Sequence, residues 1–252
     1  MANNKNRQPN EIDVLNQMNN MNTMEFQAFR FKNEEHEQMI AKRTIRNPIS
    51  KFIKRTIDIF AGIIGVVLLI PICVLVIAMR LINGEKGSLF YNQERIGFEG
   101  KIFYIHKFRS MVPDAEQILE KYLSENPDEA EQYTLYKKLN NDPRITKTGK
   151  FLRMTSLDEW PQFIDILIGR MSLVGPRPYL VAEKEDMGEH YKYIVSVKPG
   201  LTGPWQIAGR SKLSFEDRLL LDEEYASRCG NRRDIRIIFK TFGKVFSKEG
   251  AI

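Results

Sequence analysis

Between Ile59 and Met79 the chain reads IFAGIIGVVLLIPICVLVIAM, with no charged residue. A run of about 20 apolar residues is the length of a helix that crosses a bilayer. Globular cores seldom need so long an uninterrupted stretch, so the segment reads as a membrane helix. Pro71 falls near its middle, where it removes a backbone hydrogen bond and bends a helix. Basic residues flank both ends: Lys42, Arg43, Arg46, Lys51, Lys54 and Arg55 before, and Arg80, Lys86, Arg95, Lys101 and Lys107 after. Orientation is read from asymmetry between such flanks, and here they are balanced. A re-entrant helix that enters the inner leaflet, bends at Pro71 and returns gives that balance. A kinked helix that crosses is also compatible. On the residues alone the two topologies stand nearly even, with the hairpin favoured.

The remaining residues divide around this segment. Residues 1–46 are polar, rich in Asn, Gln and Met, and carry no signal-peptide pattern; a mobile tail with some helix is expected. Residues 47–82 form the membrane unit. Residues 83–252 are long enough for one compact domain. Its pattern predicts an α+β, mostly helical fold. SLFYNQERIGFEGKIFYIHKF reads as a hairpin around Gly97 and Gly100. Helices are expected from Asp114 to about Leu139 with a break at Asn126-Pro127, from Thr148 to Met154, from Leu157 to Ile168 and from Glu216 to Arg228. VGPRPYL must be irregular. RRDIRIIFKTFGKVF is a basic amphipathic helix with Ile235, Ile238, Phe239, Phe242 and Phe246 on one face, which packs on the core or lies in the bilayer interface.

The chain is basic, with 38 Lys and Arg against 32 Asp and Glu. That excess suits anionic lipid, phosphorylated substrates or nucleic acid. No nucleic-acid-binding module is present and the charges are spread, which argues against the last. The two cysteines, Cys73 in the apolar run and Cys229, make no disulfide framework and no zinc spacing.

Chemistry concentrates in TSLDEWPQF, residues 155–163. Ser156 followed by Glu159 has the spacing of a capping box, and acids suit a helix start. The same two carboxylates, Asp158 and Glu159, follow Arg153 by five and six residues, and a nearby cation keeps carboxylates ionised. KRTID places Lys54, Arg55 and Asp58 at the helix entry, where Asp58 is spaced to pair with either cation and the cluster offers a seat for a lipid phosphate. KFRSM holds Lys107 and Arg109 on one strand face. GPRP fixes the direction of Arg177, whose guanidinium suits phosphate. KPGLTGPWQIAGRS adds Lys198 and Arg210 in a loop-like stretch.

Together KRTIDIF, LFYNQERIGFEGKIFYIHKFRSM, DPRITKTGKFLRMTSLDEWPQFIDILIGRMSLVGPRP, KPGLTGPWQIAGR and LDEEYA resemble the bacterial sugar transferases that act on polyprenol phosphate, the monotopic phosphoglycosyl transferases. The resemblance runs from Lys51 to the C-terminus, roughly four-fifths of the chain. Ile70 before Pro71, where some members carry Ser, and Trp160 in place of the commoner Leu are departures. The resemblance implies transfer of a sugar 1-phosphate from a UDP-sugar to undecaprenyl phosphate, with UMP released, as the first step of exopolysaccharide or capsule synthesis. It implies Asp158 as nucleophile, Glu159 with Asp158 as the Mg²⁺ site, and Arg153 as a cation beside them. Lys107, Arg109, Arg177, Lys198, Arg210 and Asp222 of LDEEYA fall to substrate and phosphate binding. A re-entrant helix at the cytoplasmic face of the bacterial membrane is implied as well. Membrane lipid is the implied surrounding, and a homo-oligomer or hand-over to downstream glycosyltransferases is compatible. A membrane-anchored scaffold that binds anionic lipid is the rival reading, and it leaves the two acids beside Arg153 without a purpose.

Overall fold

The computed structural model describes residues 48–136, 139, 142–208 and 213–247. The tail expected over residues 1–46, and Arg210, lie outside them. α1, Pro48–Ile82, is one helix of 35 residues with Pro71 inside it, about 52 Å long at 1.5 Å per residue. Pro48 opens it, where a missing N–H costs nothing. It closes where Asn83 and Gly84 donate to Met79 and Leu81 carbonyls, with Gly84 at φ 65°, a turn that glycine takes without strain.

The buried residues of α1 are Asp58, Gly62, Gly65, Leu69, Val76 and Arg80. Their spacing of three, four or seven residues draws one stripe along the helix. Phe60, Ile64, Val67, Ile70, Val74 and Leu81 occupy other faces and are exposed. The helix therefore lies lengthwise against the rest of the chain. At its start Lys54 Nζ donates to Val174 O (2.9 Å) and Asp234 Oδ2 (2.6 Å). Arg55 donates to Ile166 and Leu167 carbonyls, both at 2.8 Å. At its end Arg80 donates to Lys86 and Gly87 carbonyls, both at 2.9 Å. One body thus holds both ends.

Asp58 pairs differently from the spacing argument. It accepts from Ser172 Oγ (2.9 Å) and Leu173 N (2.8 Å), while Lys54 bonds Asp234. A buried carboxylate needs hydrogen bonds as well as charge, and tertiary neighbours supply them. Lys54→Met leaves the buried Asp234 with Tyr225 Oη as its remaining strong partner. It should cost roughly 1.5–3 kcal/mol, read as a lower melting temperature in detergent, and adding Asp234→Leu should recover part of the loss.

β1 (Phe90–Ile96) and β2 (Ile102–Phe108) form the expected antiparallel hairpin, with Phe90 opposite Phe108 and Ile96 opposite Ile102. α2 (Ala115–Glu125) and α3 (Pro127–Tyr136) follow, broken at Asn126. α4 (Lys147–Thr155) and α5 (Gln162–Leu167) bracket the acidic pair. β3 (Ser172–Val174) pairs in parallel with β4 (Gly200–Thr202). β4 falls in a stretch that reads as loop. Gly175 and Gly200 permit it: a Cβ on Gly200 would sit 2.0 Å from Gly175 N. α6 (Tyr191–Ile194), α7 (Pro204–Ala208), α8 (Phe215–Ser227) and α9 (Asn231–Ser247) complete the chain. On α9, Asp234 and Ile237 face the core while Ile235 and Phe239 are exposed. Ile238 packs partly against Val174, Tyr225 and Ile237. The side chains of Phe242 and Phe246 lie outside the description.

α1 also builds the core. Leu69 and Val76 pack with Phe108 and Leu152, joined by Leu157, Trp160 and Ile164. Burial of such side chains contributes about 1.5–3 kcal/mol each. Gly65 lets α5 approach, since a Cβ there would fall 2.1 Å from Phe163 Cγ. The membrane-type helix is one wall of the body that carries the acidic pair.

Candidate active site

The turn between α4 and α5 is sharper than a continuous helix from Leu157. Ser156 has φ 57° and ψ 18°, caps the end of α4 through its own N–H, and makes no side-chain capping bond. Leu157–Glu159 is one 3₁₀ turn, and regular helix resumes at Gln162. The capping box is therefore not formed, and no long helix begins at Ser156. A left-handed non-glycine residue costs free energy that the surroundings must offset. Here the fixed turn is held by Trp160, whose Nε1 donates to Gly65 O of α1 (2.9 Å), and by the Trp160–Phe163 ring contact at 5.1 Å.

Cations surround the pair. Lys107 Nζ donates to Glu159 Oε1 at 2.7 Å. Arg153 Nε donates to Ser110 Oγ at 3.0 Å. Both hydrogen bonds go elsewhere, so neither residue ties down the Asp158 carboxylate. Burial and the adjacent Glu159 charge push Asp158 up to about 6, against the downward pull of Lys107 and Arg153. For Glu159 burial acts upward, but Lys107, then Arg177 and Arg95, hold it below its ordinary value. Two adjacent carboxylates are thus set apart: one poised near neutrality, one firmly ionised.

Arg177 and Arg95 close the other side. Arg177 N donates to Asp222 Oδ2 (2.9 Å), and its guanidinium lies 5.6 Å from the Trp205 ring. Arg218 stacks on the same ring at 5.4 Å. Arg95 is 5 % exposed and donates to Pro178 O at 2.9 Å. Burial and the Arg177 charge lower it to about 10, while Glu183 and Glu159 act upward. A narrow cleft opens between these groups, lined by Arg95, Lys107, Glu159, Gln162, Arg177 and Trp205 among others.

Not every candidate from the sequence reaches this cleft. Asp222 is fully buried and accepts from Arg177 N and Tyr179 Oη. Burial lifts it to about 7. It orients the Arg177 loop through Oδ2, while its Oδ1 is buried with no donor among the described residues; it is not among the residues that line the cleft. Arg109 bonds Ser88 and stacks on Tyr91 at 5.5 Å, apart from Lys107; β2 ends at Phe108, so strand alternation no longer governs it. Lys198 joins a second cationic group: a Cβ on Gly169 would meet Arg55 Nη2 at 3.3 Å and Lys198 Nζ at 3.5 Å. Burial, then the Arg55 charge, lowers Lys198. Arg95, Gln162, Trp205 and Arg218 escaped sequence reasoning. By sequence Arg95 is only one charge of the basic flank; its place in β1, two residues from the hairpin turn at Gly97, is the one available hint.

A family model described as bacterial sugar transferase matches residues 49–248. The chain belongs to the bacterial sugar transferase family. It is 40 % identical over 218 residues to the UDP-galactose-lipid carrier transferase of Erwinia amylovora, covering 86 % of this chain and 45 % of that protein. It is 38 % identical over 204 residues to the exopolysaccharide production protein ExoY of Rhizobium meliloti, covering 81 % of this chain and 90 % of that one. It is 38 % identical over 212 residues to the UDP-glucose:undecaprenyl-phosphate glucose-1-phosphate transferase of Escherichia coli, covering 81 % and 42 %. The chain thus spans less than half of two of these relatives and nine-tenths of ExoY. Within the matched residues, the Asp158–Glu159 turn brings two carboxylates together with Lys107, Arg153, Arg95 and Arg177.

Among the described residues no group of three or more His, Cys, Asp or Glu side chains converges as a metal cage. Mg²⁺ is commonly held by one or two carboxylates together with substrate phosphates and water. The Asp158–Glu159 pair offers that donor set, so the residues fit a Mg²⁺ shared with a diphosphate.

Proposed function

We propose that this chain transfers a sugar 1-phosphate from a UDP-sugar to undecaprenyl phosphate, initiating synthesis of a surface polysaccharide. The carrying observation is the fixed turn that presents Asp158 and Glu159 side by side, with Lys107 bonded to Glu159 and Arg153, Arg95 and Arg177 around the pair. An Asp158 oxygen attacks the phosphorus that bears the sugar. The bond from that phosphorus to the bridging oxygen breaks, and UMP leaves with the electron pair. The aspartyl–phosphosugar then meets undecaprenyl phosphate, whose oxygen attacks the same phosphorus and frees the Asp158 carboxylate. The product is undecaprenyl-diphosphate-sugar. Repulsion between a carboxylate and a diphosphate opposes the first step, and the cations offset it. Glu159, with Asp158, would hold Mg²⁺, which supplies charge neutralisation on the diphosphate.

The second cationic group, Arg55 and Lys198 beside Lys54 at the entry of α1, suits the lipid phosphate. Residues 47–82 form the membrane unit in this reading, and residues 83–252 the catalytic domain at the cytoplasmic face of the bacterial membrane. Attachment of both α1 ends to one body supports a helix that dips into the inner leaflet and returns. Single cysteines placed at Lys51 and Lys86 should label from one side only; labelling from opposite sides would establish a crossing.

A panel of UDP-sugars with undecaprenyl phosphate, read as UMP released, tests the activity. A non-catalytic scaffold gives no UMP with any donor. With an active donor, kcat/KM should rise through about pH 6 as Asp158 ionises, and level off above it. A flat profile from pH 5 to 7 would place the nucleophile elsewhere.

A further inference from the structure

The cleft beside Glu159 contains polar atoms that the protein leaves without partners. Gln162 is 2 % exposed, and its Nε2 has no acceptor. Gln206 Oε1, on α7, is buried with no donor, although its Nε2 reaches Leu201 O at 3.3 Å. Arg95 Nε and Trp205 Nε1 are also buried without acceptors. All four side chains line the same cleft. Buried polar groups are nearly always paired, and each orphan is costly. Four orphans on one cleft point to a ligand that completes them.

The kinds of orphan narrow the ligand. Gln162, Arg95 and Trp205 need acceptors, while Gln206 needs a donor. A phosphate at neutral pH offers acceptors and leaves Gln206 unserved. A sugar hydroxyl both donates and accepts, so a ring of hydroxyls serves all four. Position agrees. Gln162 lies one helical turn beyond Glu159, and the sugar is bonded to the phosphorus that Asp158 attacks. The uracil base offers donor and acceptors too, but the second phosphate and the ribose separate it from that centre, whereas the sugar is bonded to it directly.

Resting on the transferase reading above, we propose that Gln162, assisted by Gln206 and Arg95, reads the hydroxyls of the donor sugar and is a determinant of which UDP-sugar is used. Its amide enters the core at the first position of α5, next to the turn that carries the acids. The selecting group and the nucleophile are therefore held by one short piece of backbone.

The test uses the full-length protein in detergent or nanodiscs. Gln162→Met keeps the volume and removes the orphan, so the variant should melt at or above the parent temperature. Binding of UDP-glucose, UDP-galactose and their N-acetylamino counterparts is measured beside binding of UDP, together with kcat/KM for each donor. The preferred UDP-sugar should lose roughly 10-fold in affinity, the energy of about one hydrogen bond. UDP should bind within about 2-fold of the parent, and the ratio of kcat/KM between donors should shrink by roughly 10-fold. Gln206→Met, made in parallel, should narrow the same ratio, and it keeps the test valid if Gln162→Met does not fold. Equal loss for UDP and every UDP-sugar would assign the cleft to the diphosphate or base and overturn the proposal. An unchanged donor ratio in both variants would also overturn it. A parent protein that neither binds nor turns over any UDP-sugar would instead defeat the transferase reading itself, so the two failures are distinct.

Discussion

Asp158→Asn is expected to lower transfer by roughly 10³-fold or more, since nothing else in the turn can take the place of a lost nucleophile. The substitution is nearly isosteric, so the turn at Ser156 and the Trp160–Gly65 hydrogen bond should persist. Its effect on stability should run the other way from its effect on activity. Asp158 is raised to about 6 from an ordinary 3.8, so the folded chain binds a proton more tightly than the unfolded one. Stability from this group is greatest when it is protonated, falls as pH rises from about 4 to 6, and stays reduced above. The Asn variant removes that penalty. At pH 7.5 its melting temperature should equal or exceed the parent's, and at pH 4 the difference should vanish. The parent, quenched during turnover without acceptor, should carry a phosphosugar on the peptide containing Asp158, and the variant should carry none. Near-normal UMP release by clean Asp158→Asn protein would remove Asp158 from the chemistry, whatever the melting data say.

Gly149→Ala should be the most damaging change that touches no ionisable group. Helix propensity alone favours the alanine by about 1 kcal/mol. The structure reverses that sign. A Cβ on Gly149 would lie 1.9 Å from Ser110 O and 2.6 Å from Ser110 C, and that carbonyl already accepts from Thr146 N at 3.1 Å. Neither backbone gives way easily. α4 must move off the segment that follows β2, at a net cost of about 1–3 kcal/mol. The same movement pulls Arg153 from Ser110 Oγ and tilts the turn that follows. Transfer should fall by roughly 10²-fold in protein that is still folded, because misplacement of reacting groups by about 1 Å costs that much. A rise in melting temperature with normal activity would refute the close approach of α4 to Ser110.

Long periodic elements were legible because their signal is local. The uncharged run announces α1, alternation and two glycines announce the hairpin, and Asn126-Pro127 marks a break. The acidic pair and most of its cations, Lys107, Arg153 and Arg177, were legible through residue type and resemblance. Ser156 was not: the spacing to Glu159 fits a capping box, yet the left-handed turn prevails because Trp160 is anchored on α1. Asp58 pairing with its helical neighbours failed for a related reason, since Ser172 and Leu173 supply fixed donors from β3.

Local patterns in the chain specify a membrane-type helix, a small mostly helical α+β body and a cation-rich turn bearing two carboxylates. These follow from patterns within a few residues of each other. Tertiary packing makes α1 a wall of the core, sets Asp222 against the Arg177 backbone, and brings Arg95 and Gln162 to the cleft that Glu159 lines. Those contacts join residues far apart in the chain, as Lys54 joins Asp234. Which partner a buried polar group takes depends on the geometry that packing leaves open to it, and residue spacing does not encode that geometry.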